Sequence, residues 1–164
     1  MSGATGPVGE NRKNGGRILI LGYGNVDRGD DGLGYHVVNG LARRFGRGAV
    51  EPYLDEPETV AGNVDLVFQR QLTPEMAELL ADYDLVVFVD AHTGVFAEEL
   101  RVAEVAAAYQ PQALTHHLSP ETLLALTQTM YGHSPAGLLY SGRGYAFDFT
   151  NELSDRTRDL ADQI

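Results

Sequence analysis

The sequence predicts an α/β fold, a three-layer sandwich whose twisted, mostly parallel central sheet carries helices on both faces. Three observations carry this. Short apolar runs alternate with helix-like stretches along the chain, the order of βαβ units. The run Leu85–Asp90, LVVFVD, is apolar without alternation, as expected of a central parallel strand covered on both sides. Residues Arg17–Phe45, RILILGYGNVDRGDDGLGYHVVNGLARRF, pass from an apolar run through a glycine-rich loop into an amphipathic helix, the first half of a βαβ unit.

Taken in order, Arg17–Leu21 is too short for a helix and rich in β-branched residues, so it is predicted as the first strand. Gly22 and Gly24 let the chain leave it by tight or positive-φ geometry. Leu33, Val37, Leu41 and Phe45 recur every fourth residue and give the helix Gly32–Phe45 an apolar stripe. Gly40 inside that helix costs about 1 kcal/mol against alanine, which suggests close packing there. Val50–Leu54 reads as a strand, Asp55–Asn63 as a loop and Val64–Gln71 as another strand. Thr73-Pro74-Glu75 is a helix start, with threonine as cap, proline at the first position and an acid in the first turn. Leu100–Val105 is a further strand. Ser119-Pro120-Glu121 repeats the helix-start chemistry, and Leu123, Leu124, Leu126 and Met130 form that helix's apolar side. Leu138–Tyr140 and Tyr145–Phe149 are predicted strands around a turn at Gly142-Arg143-Gly144, and Ser154 caps a last helix.

The 164 residues suit one domain, 17–164, preceded by residues 1–16, which hold five glycines and no apolar block. That stretch reads as a flexible tail, not a secretory signal. Twelve basic against 23 acidic residues leave a formal charge of −11, which repels a phosphate backbone and argues against nucleic acid as a partner. There is no cysteine, so disulfides, thiolate metal sites and cysteine nucleophiles are excluded together. No apolar run is long enough to span a membrane. A cytoplasmic location follows as the expectation.

Familiar chemistries fail on specific positions. The dinucleotide fingerprint G-x-G-x-x-G needs glycine where Asp27 stands, and Asp27, Asp30 and Asp31 would face the pyrophosphate. No P-loop and no H-E-x-x-H occur, and Ser141 lies in LLYSG, outside a nucleophile elbow. What survives is a set of carboxylates and imidazoles on one rim of the sheet. Loops after the carboxyl ends of parallel strands share that rim. Asp31 follows the first strand, Asp90 ends the strand Leu85–Val89, and His116 and His117 precede the Ser119-capped helix. Close carboxylates repel each other unless a proton or cation intervenes. Two carboxylates and an imidazole would leave positions open on a divalent metal, suiting metal-assisted hydrolysis or recognition of a metal held by a partner. Each residue also has a plainer reading. Asp31 also reads as a helix cap, Asp90 as a turn cap, and either histidine as a solvated loop side chain. His92 competes as a ligand, whereas His36 and His133 read as surface and turn residues.

Gly22-x-Gly24-Asn25 followed by Asp30-Asp31-Gly32-x-Gly34 resembles the N-terminal signature of hydrogenase maturation proteases. These endopeptidases trim the C-terminal tail of nickel–iron hydrogenase large subunits. Phe88-Val89-Asp90-Ala91 resembles the family's strand ending in Asp-Ala, and His116-His117-Leu118 its histidine loop. The resemblance covers residues 17–130 and implies an α/β fold with metal contacts from Asp31, Asp90 and His116. A leucine two places after the family's histidine favours His116; reading Thr115 as the family's small residue upstream selects His117 instead. It further implies that nickel arrives with the large-subunit precursor and that cleavage falls near the precursor's last metal-binding cysteine. The acidic surface is compatible with a basic tail segment. Asp55–Thr59 stands where the family often has a glycine- and threonine-rich loop, so the chain resembles a divergent subgroup. The rival expectation on the same fold is a non-catalytic nickel-sensing assembly factor that binds the large subunit without cutting it.

Overall fold

Alternation along β1 (Ile18–Tyr23) and β4 (Leu85–His92) sends one set of apolar side chains to each face of the sheet. The computed structural model describes residues 16–110 and 118–164. Its sheet has six strands in the order β2-β3-β1-β4-β6-β5, with β2 Glu58–Ala61, β3 Val64–Gln69, β5 Leu100–Val105 and β6 Ala136–Arg143. The central four, β3-β1-β4-β6, are parallel, and β2 and β5 close the two edges antiparallel.

Four helices cover this sheet: α1 Leu33–Arg44, α2 Met76–Leu80, α3 Pro120–Tyr131 and α4 Asp155–Gln163. Leu19, Leu21, Val86 and Phe88 pack against Ala77 and Leu80 of α2 and Leu123 and Leu124 of α3. On the opposite face Val89, with Ile20 and Val87, meets Leu33 and Val37 of α1 and Ala161 of α4. Two helices on each face give the three layers, and each fully buried leucine or phenylalanine contributes about 1.5–3 kcal/mol. None of these helices is long and apolar enough to cross a membrane. Ser119 caps α3 by accepting from Thr122 N at 3.2 Å, with Pro120 at the first position and Gly132 closing the helix at φ 71°.

The glycine-rich loop is dictated by close approach. A Cβ on Gly34 would lie 2.7 Å from the Val89 carbonyl, so only glycine lets the start of α1 rest on β4. Gly24 adopts φ 144°, and a Cβ there would fall 2.2 Å from the Asp31 carbonyl.

Several expectations are corrected. Val50–Leu54 is not a strand, because Tyr53 turns the chain at φ 67° and bonds the Phe68 carbonyl. The expected loop Asp55–Asn63 contains β2. β6 runs on through Gly142 and Arg143 of the expected turn: Gly142 lies inside the strand, where a Cβ would strike Leu33 at 2.5 Å, and no strand forms over Tyr145–Phe149. Gly40 is not a close-packed position, since a Cβ there meets nothing within 4 Å. Phe45 and Met130 are exposed ends of their stripes, not buried members. Ser154 does precede α4, but its hydroxyl makes no cap bond to the helix backbone.

Candidate functional site

Asp31 and Asp90 line one cavity of about 440 Å³ at the carboxyl end of β1 and β4. Tyr23, Arg28, Arg70 and Leu118 also line it. Asp31 sits in a single 3-10 turn, Gly29–Gly32, between β1 and α1. It does not cap α1. Its Oδ2 instead accepts the Asn25 amide at 2.8 Å, folding the loop over the strand end.

Asp90 lies within β4, which continues to His92, so it is not a turn residue either. Its Oδ2 accepts the Tyr23 hydroxyl at 2.7 Å. Its Oδ1 is buried and has no hydrogen-bond partner among the described residues. Burial pushes the Asp90 carboxyl above its ordinary value. The hydroxyls of Ser141 and Tyr23 and the charge of His92 pull it back, and the Asp31 carboxylate adds to the rise. Ser141 is the register partner of Asp90 on β6 and is itself buried. Burial, and then the charge of Asp90, hold the Tyr23 phenol well above its usual value, so it stays a donor.

Asp30 has a different task. It is fully buried and accepts the amides of Tyr145, Ala146 and Ser154 and the Ser154 hydroxyl at 2.7–2.9 Å. Burial raises its carboxyl, but these donors together outweigh that and hold it below the ordinary value. Asp30 therefore clamps the segment between β6 and α4 onto the loop, while its neighbour Asp31 faces the cavity.

His116 and His117 lie outside the described residues. Leu118, joined in sequence to His117, forms part of the cavity wall. His92 does not line the cavity among the described residues. Its Nδ1 accepts the Gly94 amide at 3.1 Å and its ring packs edge-on to Phe96. His36 is half-buried, and burial pulls its imidazole below the usual value; His133 reaches the Tyr83 carbonyl at 3.0 Å. Among the described residues no third His, Cys, Asp or Glu joins Asp31 and Asp90 in a metal-ligand group. The donors present are the two carboxylates, one with a buried unbonded oxygen, which is oxygen chemistry suited to a cation.

Sequence reasoning overlooked Tyr23, Arg28 and Arg70. Ending the first strand at Leu21 hid Tyr23. The β1–β4 register runs to Gly22 opposite Val89, so one further step brings Tyr23 opposite Asp90.

No family model matches the chain, and no curated protein matches it. Solved structures do. A [NiFe] hydrogenase maturation protease, HycI from Thermococcus kodakarensis, is 23% identical with a TM-score of 0.64, over 92% of this chain and 88% of that one. The hydrogenase maturating endopeptidase HybD from E. coli is 16% identical at 0.64, over 90% and 86%. A hydrogenase 2 maturation peptidase from a Thaumarchaeota archaeon is 20% identical at 0.58, over 90% and 91%. At these identities the likeness establishes the fold.

Proposed function

We propose that this chain is a hydrogenase maturation endopeptidase, removing the C-terminal tail of a nickel-loaded [NiFe]-hydrogenase large-subunit precursor in the cytoplasm. The observation that carries the reading is the convergence of Asp31 and Asp90 on one cavity, because these are the acids that the sequence resemblance selects. The fold shared with proteins named as maturation endopeptidases supports it.

In this reading the nickel belongs to the substrate. Asp31, Asp90 and His116, with His117 as the alternate, complete its coordination and so report that the precursor is loaded. The ion supplies positive charge near the scissile carbonyl. Asp90 is the general base, its buried Oδ1 free of any hydrogen-bond partner among the described residues. It takes a proton from water as the water oxygen bonds the carbonyl carbon. The C–N bond then breaks and the proton passes to the leaving amine. Asp31 adds the second negative charge that holds the ion.

The test is to incubate the protein with nickel-loaded and nickel-free precursor and weigh the precursor by mass spectrometry. Tail loss confined to the loaded sample is the expected result. A stable complex with no mass change would contradict the reading in favour of an assembly factor.

A further inference from the structure

We infer that Arg28 and Arg70 form a carboxylate-binding subsite in the Asp31/Asp90 cavity, selecting an acidic group in the peptide segment that is cut. The inference rests on the peptidase reading and adds a substrate class to it.

Both arginines line the cavity, and both are exposed. Neither pairs with a carboxylate among the described residues, where the ion pairs are Arg17–Asp65 and Arg156–Glu99. Of the residues outside the described ones, 111–117, PQALTHH, contain no acid and 1–15 contain one, Glu10. In a chain with 23 acidic and 12 basic residues, two guanidinium groups that make no ion pair among the described residues line the same cavity as Asp31 and Asp90, placing positive charge beside the two carboxylates.

Neither group hangs on a loose support. The Arg70 guanidinium lies 4.8 Å above the centre of the Tyr53 ring. Tyr53 is itself fixed, because its hydroxyl accepts the Val26 amide at 3.2 Å, its amide donates to Phe68 O at 2.9 Å, and its ring rests on Phe68. Stacking leaves the edge of the guanidinium, where its N–H donors lie, free to meet a ligand. Arg28 is pinned through its backbone: its amide donates to Asn25 O at 3.2 Å and the next amide, of Gly29, to Thr150 O at 2.8 Å. Planar N–H forks suit the two oxygens of a carboxylate, from a side chain or from a chain terminus.

The test uses full-length protein with ¹⁵N-labelled arginine and follows the Nε–H signals of Arg28 and Arg70. Three acetylated pentapeptides are titrated: Gly-Gly-Asp-Gly-Gly amide, Gly-Gly-Asn-Gly-Gly amide, and Gly-Gly-Asn-Gly-Gly with a free carboxyl end. The aspartate peptide should shift both signals and bind about tenfold more tightly than the amidated asparagine peptide. Arg28→Gln or Arg70→Gln should each erase that preference. Preference for the free-ended asparagine peptide over both amides also supports the subsite and identifies a chain terminus as its source. Equal response to all three peptides, or no response, overturns it. The readout is binding without cleavage, so failure here leaves the precursor assay to judge the peptidase reading separately.

Discussion

The Tyr23 hydroxyl donates to Oδ2 of Asp90 at 2.7 Å, tying the last residue of β1 to the end of β4. This one bond fixes which carboxylate oxygen is occupied and which, Oδ1, is left buried and unbonded. It also lowers the Asp90 carboxyl against the upward push of burial. The proposed base is therefore tuned by its neighbour as well as by its depth.

Tyr23→Phe removes that donor while keeping the ring. A buried carboxylate that loses such a partner costs about 1–3 kcal/mol, to be read from urea denaturation. The Asp90 carboxyl should rise further, and a base must be deprotonated to act. The acid limb of the rate profile should therefore move to higher pH. An unchanged limb would remove Tyr23 from the tuning of the site.

Asp30→Asn should destabilise the fold by about 3 kcal/mol or more at neutral pH, since a charged acceptor of four hydrogen bonds is replaced by an amide. The folded-state carboxyl lies below its ordinary value. Its contribution is therefore complete above that value and is lost as pH falls through the lower folded value. The gap between wild type and variant should narrow in acid. Denaturation series at neutral and acidic pH read this directly, and a gap that widens in acid would contradict it.

Gly40→Ala should stabilise the protein by about 1 kcal/mol, because helix propensity favours alanine and the added methyl meets open space. Calorimetry should show a higher Tm; a lower one would mean that α1 and α4 approach more closely than the structure has them.

The parallel core and the start of α3 were legible because their signals are local: LVVFVD for β4 and Ser119-Pro120-Glu121 for α3, whereas Thr73 does not cap α2, which begins at Met76. Glycine was read less well. Gly142 looked like a turn and is a contact point with Leu33, while Gly40 looked like a contact point and faces open space. Sequence shows where a side chain is missing, but only the partner across the gap says why. The same limit divides Asp30 from Asp31. Adjacent and identical in type, one is buried under the segment before α4 and the other opens to the cavity. The donors that separate them, from Tyr145 to Ser154, are more than a hundred residues away. Tyr53 falls in the expected strand Val50–Leu54, yet it adopts a positive φ and fits against Phe68 and Val26.

The most direct test compares tail release from nickel-loaded precursor by wild type, Asp31→Asn and Asp90→Asn, with circular dichroism confirming that each variant is folded. Both variants should lose activity, by roughly 10²–10⁴-fold for the base Asp90, while the fold persists. Tail release at the wild-type rate by either folded variant would contradict the central claim.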